Sequence, residues 1–177
     1  MEINGRHQPL VLLGSARKGS DTSKLVERLF AGEKARVLDL LDYKICHYNY
    51  SGSYPPDDSF QALVQELLAH PVLVFATPIY WYSMSGHMKV FFDRLTDLVS
   101  IAKKQGRQLK GKKVFLMAVG TDDALPEGFE VPFRRTARYL DMEFIASCYF
   151  ASAALEAPLP AEVHAFLKKI LALTGEN

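Results

Sequence analysis

Short apolar runs alternate with amphipathic segments along this 177-residue chain, and that alternation constrains its fold more than any other feature. Apolar runs of about four to eight residues between polar boundaries are typical of strands that are buried on both faces. Strands that alternate with helices form a parallel sheet with helices on both sides. We therefore predict an α/β fold with five strands, and we expect its ligand site beyond the carboxyl ends of those strands.

The same pattern predicts where each element lies. The predicted strands cover residues 9–14, 35–41, 72–77, 113–120 and 144–151. The predicted helices cover residues 23–31, about 58–70, 85–106, 133–140 and 160–173. Asp57 or Asp58 is expected to cap the second helix, because a carboxylate there accepts free backbone N–H groups. Residues 42–58 and 121–132 are predicted to be loops.

Composition excludes several classes of protein. The chain has 21 Lys and Arg residues against 20 Asp and Glu residues, a net charge of +1, whereas dedicated nucleic-acid binders have a strong basic excess. The apolar runs at residues 10–13 and 72–76 are far shorter than the about 20 residues that span a bilayer. The N-terminus shows no secretory signal. We therefore expect a cytoplasmic protein whose partners include no nucleic acid and no membrane.

Motifs for metals or for nucleophilic catalysis are weak. Two cysteines, Cys46 and Cys148, are too few for a disulfide scaffold or a Cys-rich zinc site, and the five histidines lack metal-ligand spacing. The aspartate pairs at 57–58 and 122–123 are interpreted as helix caps or solvated turns. A Gly-x-Ser-x-Gly hydrolase elbow is absent. We predict no metal ligand and no catalytic side chain.

The loop after the first strand combines hydroxyl side chains with a cation. It runs from Gly14 to Ser23, and a helix follows it. The free N–H groups of a helix N-terminus favour an anion, and Arg17 can bind phosphate oxygens bidentately. The loop matches neither the nucleoside-triphosphate motif nor the dinucleotide fingerprint, because Ser20 follows Gly19 directly and Ala16 replaces the second glycine. These residues predict a monophosphate site, with an ordinary Ser-rich turn as the alternative.

The loop after the third strand contains three consecutive aromatic residues. Residues 77–86 read Thr-Pro-Ile-Tyr-Trp-Tyr-Ser-Met-Ser-Gly and include the only tryptophan of the chain. Three adjacent side chains cannot all face one core, so at least one is expected to be exposed. An exposed aromatic at the carboxyl end of a strand can stack on a planar ring. Packing against a neighbouring loop or subunit is the alternative.

Three stretches together resemble the flavodoxin-like NAD(P)H-dependent FMN reductase family. They are Gly-Ser-x-Arg-x-x-Ser from Gly14, the aromatic motif at 77–86, and Met-Lys followed by Phe-Asp-Arg within residues 88–94. The aromatic motif is most similar to the branch that includes the iron–sulfur flavoproteins. The resemblance extends from about residue 9 to residue 150.

This resemblance implies a fold and a set of site residues. Residues 1–177 would form one flavodoxin-like domain, a three-layer sandwich around a five-stranded parallel sheet of order 2-1-3-4-5. FMN would bind at the strand ends, and His87 is the only histidine expected near it. The implied phosphate ligands are Ser15, Arg17, Ser20, Thr22 and Ser23. The implied neighbours of the isoalloxazine are Pro78, Ile79, Tyr80, Trp81 and Ser83, with Gly120 and Thr121 approaching from the fourth strand's loop.

The chain departs from the family pattern at two places. The loop at residues 120–123 reads Gly-Thr-Asp-Asp and lacks the glycine-rich run of the reductase branch. The iron–sulfur branch has a compact set of cysteines after its second strand, where this chain has Cys46 alone. One cysteine cannot hold a four-cysteine cluster, so no iron–sulfur cluster is expected.

The resemblance implies an FMN-dependent NAD(P)H oxidoreductase. NADPH or NADH would be the co-substrate, and a small acceptor such as a quinone or a flavin would receive the electrons. A homodimer or homotetramer is expected. The alternatives are a non-enzymatic electron carrier of the flavodoxin type and an FMN-binding sensor. A net charge of +1 argues against the carrier, because flavodoxins are strongly acidic and dock on basic partners.

Overall fold

The computed structural model describes residues 8–175, and its central feature is a parallel sheet. The parallel strands follow the order β2-β1-β3-β5-β6, and β4 pairs antiparallel with β3. Leaving out the short β4, this is the predicted order 2-1-3-4-5, so the predicted fold is confirmed. The strands are β1 (Leu10–Leu13), β2 (Arg36–Asp39), β3 (Val72–Tyr80), β4 (Ser83–Met84), β5 (Lys113–Gly120) and β6 (Glu143–Ala151).

Helices cover both faces of this sheet because alternate side chains of its central strands point into two separate cores. Leu10 and Leu12 lie in one core, and Val11 and Leu13 lie in the other. The first core is covered by α2, α3 and α5, and the second by α1 and α6. None of the helices described within residues 8–175 is long and apolar enough to cross a membrane. The helices are α1 (Asp21–Leu29), α2 (Phe60–Ala69), α3 (Gly86–Arg94), α4 (Lys103–Gly106), α5 (Val131–Tyr139) and α6 (Ala161–Ala172).

Two predicted boundaries were wrong at the edge of the sheet where a ligand site is expected. Helix α1 begins at Asp21 rather than at Ser23, because the Ser20 side chain accepts a hydrogen bond from the Ser23 amide at 3.2 Å and caps the helix there. Strand β3 continues to Tyr80 rather than ending at residue 77, because it folds back and pairs with β4.

The predicted helix over residues 85–106 is broken in the structure. Helix α3 ends at Arg94, a 3-10 turn follows at Leu95–Leu98, and α4 is a separate turn. The Asp97 carbonyl accepts hydrogen bonds from several following amides, which turns the chain. A Cβ on Gly106 would lie 2.0 Å from the Leu98 carbonyl oxygen, so this tight return requires glycine.

Candidate functional site

The carboxyl ends of β1, β3 and β5 meet at one edge of the sheet and enclose a cavity of about 120 Å³. Most of the predicted site residues line it, although they come from three loops that are distant in sequence. The predicted residues in this lining are Ser15, Arg17, Ser20, Thr22, Pro78, Ile79, Tyr80, Gly120 and Thr121.

Two hydroxyl groups at this cavity have no hydrogen-bond partner in the described part of the chain. Ser15 Oγ and Thr22 Oγ1 are fully buried, and neither is bonded to protein. A buried polar atom without a partner costs about 1–3 kcal/mol. Ser15 lies in the segment that leads into α1 and Thr22 in the first turn of α1, where free N–H groups attract an anion. The pair therefore fits a ligand group rich in oxygen atoms.

The two neighbouring cations of this segment, Arg17 and Lys18, differ in their ion-pair partners. Lys18 Nζ lies 2.8 Å from Asp39 Oδ2 and 2.7 Å from Asp42 Oδ1. These hydrogen bonds raise the pKa of Lys18 and direct it toward the end of β2. Arg17 lines the cavity and is exposed, and no ion pair engages it among residues 8–175. Arg17 is therefore the cation of this segment that is free to bind an anion at the cavity.

The aromatic motif forms a β-hairpin that the sequence did not predict. Trp81 and Tyr82 are the two turn residues between β3 and β4, with φ of 48° and 62°. Two positive φ values are typical of a type I′ turn, which normally takes Asn-Gly, and they are strained in bulky residues. Trp81 is 93% exposed and Tyr82 is 70% exposed. The prediction that at least one aromatic residue is exposed is thus confirmed.

A second cavity, of about 220 Å³, continues from the first toward this hairpin. The two cavities share Ile79, Gly120 and Thr121. A Cβ on Gly120 would lie 2.9 Å from Tyr149 Oη and 3.3 Å from Ile79 Cδ1, so a larger residue here would displace these two lining side chains. We call the two cavities together the strand-end groove. The lining of its second cavity is Ile79, Trp81, Tyr82, Gly120, Thr121, Asp122 and Tyr149.

One buried hydroxyl joins the loops on either side of the groove. Ser85 Oγ donates to the Gly14 carbonyl at 2.7 Å and accepts from the Met88 amide at 3.2 Å. The Ser85 amide donates to Thr77 Oγ1 at 3.1 Å. Ser85 therefore caps α3 and fixes its N-terminus against the carboxyl end of β1.

Not every predicted residue lies in the groove, and several that do were missed. Ser23 Oγ donates to Glu27 along α1, and neither this hydroxyl nor Ser83 lines the groove. His87 lines a different cavity, which it shares with Tyr80. Three of the missed lining residues, Asp21, Tyr82 and Asp122, lie within loops that the sequence singled out. The other three, Val119, Tyr149 and Ser152, had no motif of their own, since long-range packing brings them there.

A buried charged cluster joins α3 to the loop that follows β2. Arg94 pairs with Asp58 at 2.7 Å and with Asp97 at 3.0 Å, and its guanidinium carbon lies 3.4 Å from the centroid of the Tyr54 ring. Burial alone would raise the pKa of Asp58, but Arg94 and the amides of Cys46 and Phe60 outweigh it and lower that pKa. Asp58 Oδ1 accepts from the Phe60 amide at 3.1 Å, so the expected cap at the start of α2 is confirmed, and its carboxylate is buried.

Neither cysteine lines the groove, although the backbone of Cys46 belongs to the charged cluster. Both cysteines are free, and burial raises the pKa of Cys148 to about 11. Cys148 is therefore a neutral thiol near pH 7. Within residues 8–175, no group of three His, Cys, Asp or Glu side chains could hold a metal ion.

Comparison with known proteins gives a consistent family. The model for NADPH-dependent FMN reductase matches residues 9–156. A Bacillus subtilis (strain 168) protein named "Putative NAD(P)H-dependent FMN-containing oxidoreductase YwqN" is 29% identical over 143 residues, which cover 76% of this chain and 79% of that protein.

Solved structures share the fold. The Trp repressor binding protein of Bacillus subtilis is 25% identical, with a TM-score of 0.66 over 94% of this chain and 99% of that one. General stress protein 14 of Treponema denticola, solved in complex with FMN, is 20% identical, with a TM-score of 0.60 over 94% of this chain and 97% of that one. With the family model matching most of its length, the chain belongs to the NADPH-dependent FMN reductase family and is an FMN-dependent NAD(P)H oxidoreductase.

Proposed function

We propose that the strand-end groove binds one FMN without a covalent bond, with the phosphate at the N-terminus of α1. The observation that carries this proposal is the pair of buried, unpartnered oxygens of Ser15 and Thr22. A phosphate gives each hydroxyl an acceptor, and Arg17 adds a charge-assisted hydrogen bond. Ser20 contributes through the helix cap that orients the N–H groups of α1.

The flavin ring is proposed to extend along β3 toward the aromatic hairpin. Pro78 and Ile79 would border it from the end of β3, and Gly120 and Thr121 from the end of β5. Tyr80 and Trp81 would complete its aromatic border. Tyr82 and Tyr149 line the same part of the groove, and we add them to the proposed set.

FMN fits this site better than FAD does. A pyrophosphate site of the dinucleotide type needs a glycine where Ala16 stands, and the segment from Ser15 to Ser20 offers one helix N-terminus and one free cation. That donor set matches a terminal monophosphate.

The residues of the chain would bind the cofactor, orient it and shield it, while the cofactor carries the redox chemistry. Bound FMN supplies the capacity to accept a hydride from NAD(P)H and to pass two electrons on. Arg17 and the α1 N-terminus fix the phosphate end. Ser85 fixes α3 against β1, so the hairpin starts from a rigid base. Because Trp81 and Tyr82 project into solvent, they leave one side of the groove open to a nicotinamide or to an acceptor.

We further propose that the acceptor is a small molecule such as a quinone or a flavin. A net charge of +1 gives little electrostatic steering toward a protein partner. The chain would work in the cytoplasm, where reduced nicotinamide nucleotides are available. It would assemble as a homodimer or homotetramer, which is supported by the exposed aromatic hairpin, and light scattering of the purified protein measures that state.

Two measurements test the cofactor and the reaction. Flavin released by heat from the purified protein should run as FMN on chromatography, and FAD as the main species would overturn the proposal. Under anaerobic conditions NADPH or NADH should bleach the bound flavin within seconds. Turnover with a quinone should then give parallel double-reciprocal lines, and a lack of bleaching by either nucleotide would favour the electron carrier.

A further inference from the structure

A basic segment lies at the start of β5, at the end of this strand opposite the strand-end groove. Residues 103–113 contain six Lys and Arg residues and neither Asp nor Glu. They form α4, a 3-10 turn at Arg107–Leu109 and the first residue of β5. The last residue of β5, Gly120, lines the groove. The basic segment therefore plays no part in the proposed FMN site.

Four of the six cations in this segment are exposed and lack an ion-pair partner. Lys112 donates to the carbonyls of Leu68 and His70, and Lys113 pairs with Glu143. No ion pair engages the other four within residues 8–175. Several unpaired like charges on one segment create a positive potential that attracts an anionic partner. The four cations are Lys103, Lys104, Arg107 and Lys110.

Exposed apolar side chains flank these cations on two sides. Ile101, two residues before α4, is 61% exposed. Tyr139, at the end of α5, is 75% exposed and lines a cavity of about 300 Å³ together with Lys103 and Arg107. Among the described residues, Asp141 is the one carboxylate in the lining of this cavity. We call the surface the basic patch, and it consists of Ile101, Lys103, Lys104, Arg107, Lys110 and Tyr139.

The make-up of the basic patch distinguishes between anionic partners. Nucleic-acid surfaces stack bases on aromatic rings, but Ile101 has no ring, and a net charge of +1 lacks the basic excess of nucleic-acid binders. A second copy related by a two-fold axis would present the same patch, and its cations would face like charges, which is unfavourable. The surface of an anionic bilayer attracts Lys and Arg and accommodates apolar and tyrosine side chains at its headgroup boundary.

We infer that the basic patch binds the surface of an anionic lipid bilayer. The four cations would contact the anionic headgroups, and Ile101 and Tyr139 would enter the headgroup region. Attachment to a surface needs no membrane-spanning helix, so this inference departs from the sequence-based expectation of no membrane partner. It is independent of the proposed FMN site, because the strand-end groove lies at the other end of β5 and stays uncovered.

Sedimentation of the purified protein with lipid vesicles tests this inference. Vesicles of phosphatidylglycerol should bind the protein at about 50 mM NaCl and release it at about 500 mM NaCl, because salt screens the attraction. Vesicles of phosphatidylcholine, which carries no net charge, should bind it at least about tenfold more weakly. Equal binding to both lipids would overturn the inference, as would a lack of binding to phosphatidylglycerol.

Two double variants test whether the cations of the basic patch are responsible. Lys103→Gln with Lys104→Gln should weaken binding by about 25-fold, since each cation near an anionic surface contributes about fivefold. Lys168→Gln with Lys169→Gln is the matched control, because these lysines are also exposed neighbours and lie on α6, which covers the other face of the sheet. The control changes the net charge equally and should bind as wild type does. Equal losses in both double variants would overturn the inference.

Ile101→Ser tests the apolar part of the basic patch. It should weaken binding to phosphatidylglycerol vesicles by about fivefold or more, because an aliphatic side chain no longer leaves water on binding. Val131→Ser is the control, since Val131 is also exposed and lies at the opposite end of α5 from Tyr139. A loss in Val131→Ser as large as that in Ile101→Ser would contradict the assignment to the basic patch.

The two other partners are tested with the same proteins. Single-stranded DNA, added at the phosphate concentration of the lipid, should leave the protein on the vesicles, and transfer of the protein to the DNA would assign the basic patch to a nucleic acid. Light scattering should give the same oligomeric state for Ile101→Ser as for wild type. Dissociation of an oligomer in this variant would show that the patch is an interface between copies. Either result would overturn the inference.

Discussion

Arg94 and Asp58 form an ion pair that is almost closed to solvent. Nη1 of Arg94 lies 2.7 Å from Oδ2 of Asp58, and the two side chains are 1% and 6% exposed. The same Nη1 atom donates to the Cys46 carbonyl. Since Arg94 ends α3 and Cys46 belongs to the loop after β2, the pair joins this loop to the helix that begins at the strand-end groove.

Removal of one partner from this pair should be strongly destabilising. Arg94→Met should lower the free energy of unfolding by about 3–5 kcal/mol, because it leaves buried carboxylates without a counter-charge. Lys89→Met is the matched control on the same helix, since the Lys89–Asp93 pair at 2.6 Å is exposed and should contribute about 0–1 kcal/mol. Urea unfolding measures both values, and equal losses would contradict the proposed role of burial.

Arg17 and Lys18 are neighbours that should differ sharply in their effect on FMN binding. Arg17→Ala should weaken FMN binding by about 10- to 150-fold, because a charge-assisted contact with the phosphate is lost. Lys18→Ala should have little effect, because Lys18 is held by Asp39 and Asp42.

Riboflavin, which lacks the phosphate, is the ligand control for this pair of variants. Its affinity should change little in Arg17→Ala. Fluorescence titration of the FMN-free protein gives all the dissociation constants. Equal losses for FMN and riboflavin would show that Arg17 supports the fold instead.

Ser15→Ala should affect the free protein and the FMN complex in opposite directions. Ser15 Oγ is buried without a partner, so its removal should leave the free protein equally stable or up to about 1 kcal/mol more stable. FMN binding should weaken by about 0.5–1.5 kcal/mol, since a hydrogen bond to the ligand is lost. Ser20→Ala is the control and should cost the free protein about 1 kcal/mol, because it removes the cap of α1. Thermal unfolding with and without FMN gives the stability of the free protein and the change in FMN affinity. A free Ser15→Ala protein that is less stable than wild type would show that the Ser15 hydroxyl has a partner within the protein.

The strained hairpin should be stabilised by the turn residues that its geometry favours. Replacing Trp81 by Asn and Tyr82 by Gly should raise the free energy of unfolding by about 1 kcal/mol, because both residues tolerate positive φ. FMN and riboflavin should both bind more weakly, since the lost aromatic side chains would contact the flavin ring, which both ligands have, and not the phosphate. Tyr50→Gly removes another exposed aromatic residue and should leave flavin binding unchanged. A variant that loses stability would show that the aromatic pair holds the hairpin together.

Lys112 should make stability depend on pH in the alkaline range. Its Nζ donates to the carbonyls of Leu68 and His70, and burial lowers its pKa from 10.5 to about 8. The unfolded chain therefore holds more protons than the folded one between about pH 8 and pH 10.5, so this group makes stability rise with pH across that window. Chemical unfolding at several pH values should show this rise in wild type and not in Lys112→Met. The same slope in both proteins would remove Lys112 as the cause.

Strand positions were predictable because a strand buried on both faces carries its own signal. Residues 113–120 were predicted as a strand, and β5 has the same first and last residues. The prediction succeeded because an uninterrupted apolar run lies between Lys113 and Gly120. The order of the parallel strands followed from the family resemblance and is confirmed. The segment before α1 was singled out for a similar reason, since hydroxyls, a cation and a helix start are adjacent in sequence, and its binding of a phosphate stays a prediction.

The hairpin and the break after α3 could not be predicted from local patterns. Trp81 and Tyr82 are poor turn formers, so nothing in the sequence indicated a two-residue turn. The helical spacing of apolar residues after Ser85 continues past Asp97, so the sequence predicted one long helix. Hydrophobic periodicity does not indicate that the carboxylate of Asp97 is buried and paired with Arg94.

The sequence by itself determined the class of fold, the strands and the loop that offers an anion site, because these depend on residues that are neighbours along the chain. Only the tertiary structure decided which cation is free, which hydroxyls lack partners and how the loops enclose a groove. Arg17 and Lys18 look equivalent in sequence, and they differ because β2 places Asp39 within reach of Lys18 alone. Such contacts join residues far apart in the chain, and their energies depend on burial that no local pattern encodes.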